Sequence, residues 1–540
     1  MSTENNAYRY LVIGAGPGGL QLGHYLQEAG EDYLILEAGS RAGTFFEKHP
    51  RHRKLLSINK VYTGSDDFEL NLRWDWNSLL SSDPALRFKE YSRRYFPHAD
   101  DLVRYLQDFA SRQRLAIAYD AAVEQIRRPG ERFEVRLRDG RVLQAEQVIV
   151  ATGLSVSYQP TIPGFEHVER YDDVSVDPDD FRDQRVLIIG KGNSAFEVAD
   201  NLIETARTIH LCSPNPVKMA WQTHYVGHLR AVNNDFLDTY QLKSQNAVLN
   251  AIIDQIEVHD PGQAPETTAT WDGAKYRVGM TYCRAAGERE TLLYDRIIAC
   301  TGWQFDRSIF ASDCMPDATI NRSSVGWDEG KYPAMTEGYE SVNVPGLFFA
   351  GTLTATRDFK RSSSAFIHGF RYNAKALFHM LRRRNDGETW PHHELQPQPD
   401  SVAEAVLGRI NRSSAMWQQF GYLGDVVGRD EQGRLRMFTD VPIDYAVAGG
   451  LGLQGSYYAV TLEYGESEKG DPFAAERVHR DDADQAHHSK FLHPIVRRLG
   501  PQGQPLAEHH VIEDLASEWR EAVHIEPLRR FFRSDLGNLG

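Results

Sequence analysis

An unbroken apolar run, Tyr10 to Ile13, opens the chain and predicts a buried parallel strand. Gly14-Ala15-Gly16-Pro17-Gly18-Gly19 breaks it, Leu20 to Ala29 has helical spacing, Gly30 stops the helix, and Tyr33 to Leu36 is a second apolar run ending in Glu37. The stretch 186–204 repeats this order, with an apolar run, a Gly190-Lys191-Gly192 turn, a helix, and a further strand over Thr208 to Cys212. Other patterns predict a helix over Asp100 to Ala110 and strands near Glu134–Leu137, Gln147–Ala151 and Asp295–Ala299. A strand and turn follow at Gly346 to Thr352, then a helix from near Ser364 through Phe370 to Leu381. Trp390 to Asp400 reads as a linker. Beyond it, Tyr457–Tyr464 reads as a strand, Asp514 to Phe532 as largely helical, and Phe491, Leu492, Ile495 and Val496 as buried.

Strand, glycine turn, helix, strand and terminal acid together make a dinucleotide-binding fingerprint. Gly14 permits the turn, Gly16 lets backbone approach a pyrophosphate, and Gly19 lets the helix pack on the strand. The helix N-terminus attracts phosphate, and Glu37 is placed to accept hydrogen bonds from ribose hydroxyls. This first site is expected to hold FAD. In the second fingerprint Gly190, Gly192 and Ala195 fill the glycine positions, and Asn193 and Ser194 open the helix. Its second strand ends Cys-Ser-Pro, without an acid. With Lys218 and Arg230 downstream, that favours NADPH. Thr301, Gly302 and Gly351 lie in further strand-end turns expected at the cofactors. His368 lies at the start of a helix whose dipole would stabilise anionic reduced flavin. The predicted fold is α/β, with two Rossmann-like domains, the second inserted in the first, and a C-terminal α+β extension. The boundaries are 1–155 and 299–395 for FAD, 156–298 for NADPH, and 396–540 for the extension.

The net charge of −15 argues against nucleic acid or anionic membrane as a partner. No apolar run reaches the length of a membrane span. MSTENNAYRY is not a signal peptide and SDLGNLG is not a retention signal, so a cytoplasmic protein is expected. The four cysteines form no CxxC pair, which argues against a disulfide framework or an internal redox dithiol. The tail histidines show no metal-ligand spacing, and no metal is expected.

With both fingerprints in place, the chain resembles class B flavin-dependent monooxygenases, the flavin-containing and N-hydroxylating monooxygenases. Asp295-x-x-x-Ala299-Cys300-Thr301-Gly302-Trp303 is similar to the D-x3-[LF]-ATGY signature of the N-hydroxylating group, with Trp303 in place of Tyr. Ser57-Ile58-Asn59-Lys60 is similar to the flavin-containing monooxygenase segment whose Asn lies beside the flavin. Phe165 to Ser175 does not fit the Baeyer–Villiger stretch, and Thr352 stands where an Asp is common. PRHRKLLSINKVYTG, YFPHADDLVRYL, GKGNSAFE, THYVGHLRAVNN, FIHGFRY and EPLRRF resemble, along nearly the whole chain, the family of eukaryotic ER flavoproteins associated with degradation. The present chain is expected to be a soluble relative.

The resemblance implies an NADPH- and FAD-dependent monooxygenase that uses molecular oxygen, adding it to reduced flavin at C4a, on a small-molecule substrate. It assigns Asn59 and Lys60 to catalysis, with Lys54 a further phosphate contact. A small amine or acidic amino acid such as aspartate would be oxidised to hydroxylamine or nitro level. Arg51, Arg53, His224 and Arg230 are candidate carboxylate partners. Trp76, Trp221 and Tyr225 are candidate pocket walls. The alternatives are NADPH-dependent reduction of thiols or disulfides, and S-oxygenation. Residues 400–540 are expected to cap the site or to form a homodimer contact.

Overall fold

The computed structural model describes residues 6–259, 271–321, 328–465 and 476–539. Ala7–Ile13 (β1) passes through the glycine turn into Pro17–Glu28 (α1), and Tyr33–Leu36 (β2) returns parallel to β1 with Val12 opposite Ile35. On its other side β1 pairs with Val142–Val150. That strand is shared. Its first residues pair antiparallel with Phe133–Leu137, and its last three pair parallel with Leu347–Phe349. The chain therefore leaves this sheet near Val150 and completes it almost two hundred residues later, with a second nucleotide module between.

The second module contains Arg185–Ile189 (β3), Asn193–Leu202 (α2) and Thr208–Cys212 (β4) in a five-stranded parallel sheet. Ile188 faces one apolar core, while Leu187 and Ile189 face another shared with an antiparallel sheet of Ala251–Val258, Tyr276–Tyr282 and Arg289–Tyr294. Burial on both faces explains why β3 is a continuous apolar run.

Ile367–Asp386 (α3) returns to the first module and shares the core of β1 and α1 through Phe370, Ala374, Leu377 and Leu381. A six-stranded antiparallel sheet then forms the extension, in the order 392–394, 435–442, 423–429, 457–463, 493–499, 505–510. Its alternating side chains enter two cores. Val426, Phe438, Tyr457 and Ala459 join the core of α3. Val427, Met437, Tyr458 and Val460 pack under Pro399–Ile410 and Ala522–Asp535. No described helix is long and apolar enough to cross a membrane.

Three segments differ from the sequence reading. Trp390 to Asp400 is no free linker. His392–Glu394 is an edge strand, and Trp390 is buried with its indole N–H donating to the Thr439 carbonyl at 2.9 Å. The helix expected from Asp514 begins only at Ala522, where Glu521 and His524 form a capping box. Residues 514–519 fold instead around fully buried Trp519, whose N–H donates to the Ile512 carbonyl at 3.1 Å. Leu492, Ile495 and Val496 are buried as expected, whereas Phe491 is half-buried.

Candidate functional site

Gly14 turns the chain at φ 104°, in the left-handed region. A Cβ on Gly19 would overlap the Gly14 carbonyl oxygen, and one on Gly18 would stand 2.6 Å from the Gly351 Cα. The start of α1 is thus wedged between the turns after β1 and after Leu347–Phe349. Gly16 caps α1 without a side-chain hydrogen bond, and nothing lies within 4 Å of where its Cβ would be. Free helix N–H groups beside open space suit a phosphate. Glu37, 6% exposed, takes the Ala15 N–H at 2.8 Å on one oxygen. Its other oxygen takes the Gly39 N–H at 2.9 Å and the Thr44 hydroxyl at 3.0 Å. The acid fastens the turn and keeps part of its acceptor capacity for a ribose hydroxyl. Nearby, the Thr152 hydroxyl is buried with no partner among the described residues. Open cradle, uncapped helix, terminal acid and orphaned hydroxyl all fit FAD.

His368, the second residue of α3, is 2% exposed, and neither ring nitrogen has a partner among the described residues. Burial, then Arg371 and Arg230, push its pKa well below the usual value, so the ring is neutral. It stacks on Trp76 with centroids 4.2 Å apart and on Phe366 at 5.8 Å. Arg371 sets this geometry. Fully buried, it donates to the carbonyls of Leu72 and Ser78 at 2.8 Å and of Asp75 at 2.9 Å, which pins the segment carrying Trp76 against α3.

The second module also reaches Trp76. Arg230 lies over Trp76, 5.1 Å from the ring centroid. Its backbone N–H donates to Asn193 Oδ1 at 2.9 Å, and the Asn193 amide donates to the His228 carbonyl at 2.9 Å. The first residue of α2 thereby holds the 227–233 loop. Burial lowers the Arg230 pKa, and among the described residues no carboxylate lies within 4.0 Å of its guanidinium. Tyr225 adjoins Phe366 at 6.0 Å, and His224 stacks on Tyr464 of the extension at 3.8 Å. Trp76, Tyr225, Arg230 and His368, far apart in sequence, therefore meet between the modules, with His224 at the extension. Trp221 is 40% exposed.

At the second turn, a Cβ on Gly190 would overlap the Cys300 carbonyl oxygen, and Gly192 opens α2 beside empty space. The Thr301 hydroxyl donates to the Tyr158 carbonyl at 2.5 Å, and the Gly302 carbonyl takes the Tyr158 N–H at 2.8 Å. Both residues line a small pocket with Ser194.

Other candidates are committed elsewhere. The Arg51 guanidinium donates to the Val174 carbonyl at 2.6 Å and so clips the modules together. Arg53 pairs with Asp100. Asn59, 2% exposed, spends its amide hydrogens on the carbonyls of Ser92 at 2.7 Å and Arg94 at 3.4 Å, where it orders a loop. Lys60 is exposed, with its ammonium 5.9 Å from the Trp74 ring. Lys54 is likewise exposed, over Phe96. Lys218 is exposed beyond β4. The sequence reading passed over Gly18, Thr152, Lys191 and Arg371. Of these, Gly18 carried a signal, since it lies inside the first glycine turn, and Thr152 directly follows the strand expected near Gln147–Ala151.

The sequence pattern of the family described as pyridine nucleotide-disulphide oxidoreductase matches residues 11–351, more than half of the chain. FAD-dependent oxidoreductase domain-containing protein 2 of Mus musculus is 37% identical, across 98% of this chain and 84% of its own length. The flavin-containing monooxygenase FMO GS-OX-like 9 of Arabidopsis thaliana is 30% identical over 39% of this chain and 51% of its own. Among solved structures, a flavin-containing monooxygenase from Stenotrophomonas maltophilia superposes with a TM-score of 0.51 at 20% identity, covering 70% of this chain and 99% of that one, which is a likeness of fold. The chain belongs to the pyridine nucleotide-disulphide oxidoreductase family, as a flavin-dependent oxidoreductase that binds FAD and NAD(P)H.

Proposed function

We propose that the chain is an NADPH- and FAD-dependent monooxygenase that N-oxygenates a small acidic amine, an amino acid such as aspartate, to hydroxylamine or nitro level. The observation that carries this reading is the cluster of Arg230, Trp76 and His368 between the two nucleotide modules, with Arg230 over Trp76 and Trp76 stacked on His368. It offers a cation with no acid of its own, an aromatic wall and a neutral imidazole.

Bound FAD would accept hydride from NADPH and hand one atom of dioxygen to the substrate, the other leaving as water. The residues of the chain do the rest. Arg230 pairs with the substrate carboxylate through its planar fork, and its partial burial strengthens that bond. Trp76, Phe366 and Tyr225 exclude water from the reacting nitrogen. His368 stays uncharged, so it does not repel Arg230 and does not protonate an amine that must keep its lone pair. The uncapped start of α3 suits a ligand that becomes anionic on reduction. The four cysteines, at 212, 283, 300 and 314, form no CxxC pair, which favours this reading over an internal dithiol relay.

The test is NADPH and oxygen consumption across a panel of amino acids and amines, with products identified by mass spectrometry. An acidic amino acid is expected to stimulate both and to gain oxygen on nitrogen. Arg230→Gln should raise its KM by about 10- to 100-fold, the value of a charge-assisted hydrogen bond, with FAD content retained. Hydrogen peroxide as the sole product throughout, or disulfide reduction without oxygen, would sink the reading.

A further inference from the structure

Lys191 lies between the two glycines of the second turn, at the end of β3. Its side chain crosses the carboxyl ends of two neighbouring strands. Nζ donates to the Asn215 carbonyl at 2.9 Å, just beyond β4, and to Asn250 Oδ1 at 2.5 Å, just beyond Val248–Leu249, which pairs with β4. In a nucleotide-binding unit of this kind the end of the second strand meets the adenosine ribose, and an acid there receives the 2′-hydroxyl. Here β4 runs into Ser213 and Pro214. The acid is missing and an ammonium stands in its place.

Three features make this ammonium more than a strut. It has three N–H donors and spends two on the asparagines, which aim it and leave one donor. Among the described residues no carboxylate lies within 4.0 Å of it; the groups that act on it are the thiols of Cys212 and Cys283, which favour its charge, and exposed Arg284, which is itself positive and opposes it. Burial without a counter-charge pulls its pKa down to about 8, a state that a dianion would relieve. The two cations expected from sequence to serve this purpose are held less firmly at this strand end. Arg230 lies on Trp76, and exposed Lys218 acts electrostatically on His228.

We infer that Lys191 receives the 2′-phosphate of NADPH at the end of β4 and is the residue that selects NADPH over NADH. The inference rests on NAD(P)H binding at the second fingerprint and adds the coenzyme choice and its determinant. Asn215 and Asn250 act as positioning residues, holding the ammonium over the ribose position instead of letting it extend into solvent.

The holoenzyme, Lys191→Gln and Lys191→Arg are compared in two measurements. One is anaerobic bleaching of the flavin by NADPH and by NADH. The other is calorimetric binding of 2′,5′-ADP and 5′-AMP, which needs no turnover. In the wild type 2′,5′-ADP should bind more tightly than 5′-AMP. Lys191→Gln should weaken 2′,5′-ADP by about 10- to 100-fold, closing that gap. The ratio of kcat/KM for NADPH to that for NADH should fall by the same factor, and Lys191→Arg should restore most of both. FAD content reports that each variant is folded. A Gln variant that keeps the wild-type preference, or losses equal for both fragments and both coenzymes, would overturn the assignment of Lys191 while leaving the coenzyme site intact. A wild type bleached by neither coenzyme would overturn NAD(P)H at the second site, and this inference with it.

Discussion

Gly16 and Gly19 lie three residues apart in one turn, yet a methyl group on each meets different things. On Gly19 it overlaps the Gly14 carbonyl oxygen, a backbone atom that cannot yield without moving α1. On Gly16 it meets nothing among the described residues, at φ −76° and ψ 178°, which alanine adopts freely. Gly19→Ala should therefore destabilise even the apoprotein, by about 1–3 kcal/mol as overpacking does. Gly16→Ala should leave apoprotein stability within about 0.5 kcal/mol of wild type and lower FAD affinity at least about 10-fold, because the only thing in its way is the ligand. Thermal unfolding of the apoproteins and titration with FAD separate the two. Wild-type FAD affinity in Gly16→Ala would remove the pyrophosphate from this turn. Lys191 shows the limit of such reading. The position between two glycines of a fingerprint is chemically unconstrained, so its residue type carried no signal until its side chain was seen to cross two strand ends.

The element that completes the first module, α3, is delivered by a stitched loop. Asp358, 2% exposed, takes the Ser364 N–H at 3.0 Å. The Ser364 hydroxyl takes amides from Asn373 at 2.8 Å and from Gln419 of the extension at 3.0 Å. Burial raises the Asp358 pKa to about 7. Unfolded, the group would titrate near 3.9. Between those values the folded chain holds a proton that the unfolded chain has released, so stability falls as pH rises, and the loss, of order 4 kcal/mol, is complete only above pH 7. Asp358→Asn mimics the protonated form. It should raise Tm over wild type by clearly more at pH 8 than at pH 5, and an equal difference at both would mean that Asp358 does not titrate there. Legibility from sequence also varies by element. β1, β2 and β3 were plain because strands buried on both faces are unbroken apolar runs. His392–Glu394 was not, since three residues at a sheet edge show no period, and the Pro and Gln around it read as linker. The helix expected from Asp514 begins later because Trp519 resembles part of a helical stripe, whereas it is held by the Ile512 carbonyl in its own loop and by Asn411, over a hundred positions away. Trp76, Tyr225, His368 and Arg230 were recognisable as residue types. Their meeting depends on Arg371 holding three carbonyls some three hundred positions away, which no local pattern encodes.

Across the whole molecule, the extension is joined to the first module by a buried charge network as well as by a common core. Arg409 of the extension reaches Asp425 at 2.7 Å, Asp440 at 2.8 Å and Glu69 of the first module at 2.9 Å. Lys375 of α3 reaches Asp440 at 2.9 Å. Burial works against the charge of Asp440, yet Lys375 and Arg409 outweigh it and hold its pKa below the usual carboxylate value. Such a network adds little over well-packed apolar groups, but removing one member strands a charge, which costs about 3–5 kcal/mol. Lys375→Met should therefore lower stability by that amount, and Lys375→Met with Asp440→Asn should recover much of it, because the stranded charge is gone. Since Val426, Phe438 and Tyr457 lie in the same core as β1 and α3, FAD release and loss of the extension should occur together in every variant. Flavin fluorescence and circular dichroism, followed through one thermal ramp, read both events. Coincident transitions would make the extension part of the FAD-binding unit. A separate, earlier transition that leaves flavin bound would make it an appended body, and an unchanged Tm in Lys375→Met would remove the network from what joins them.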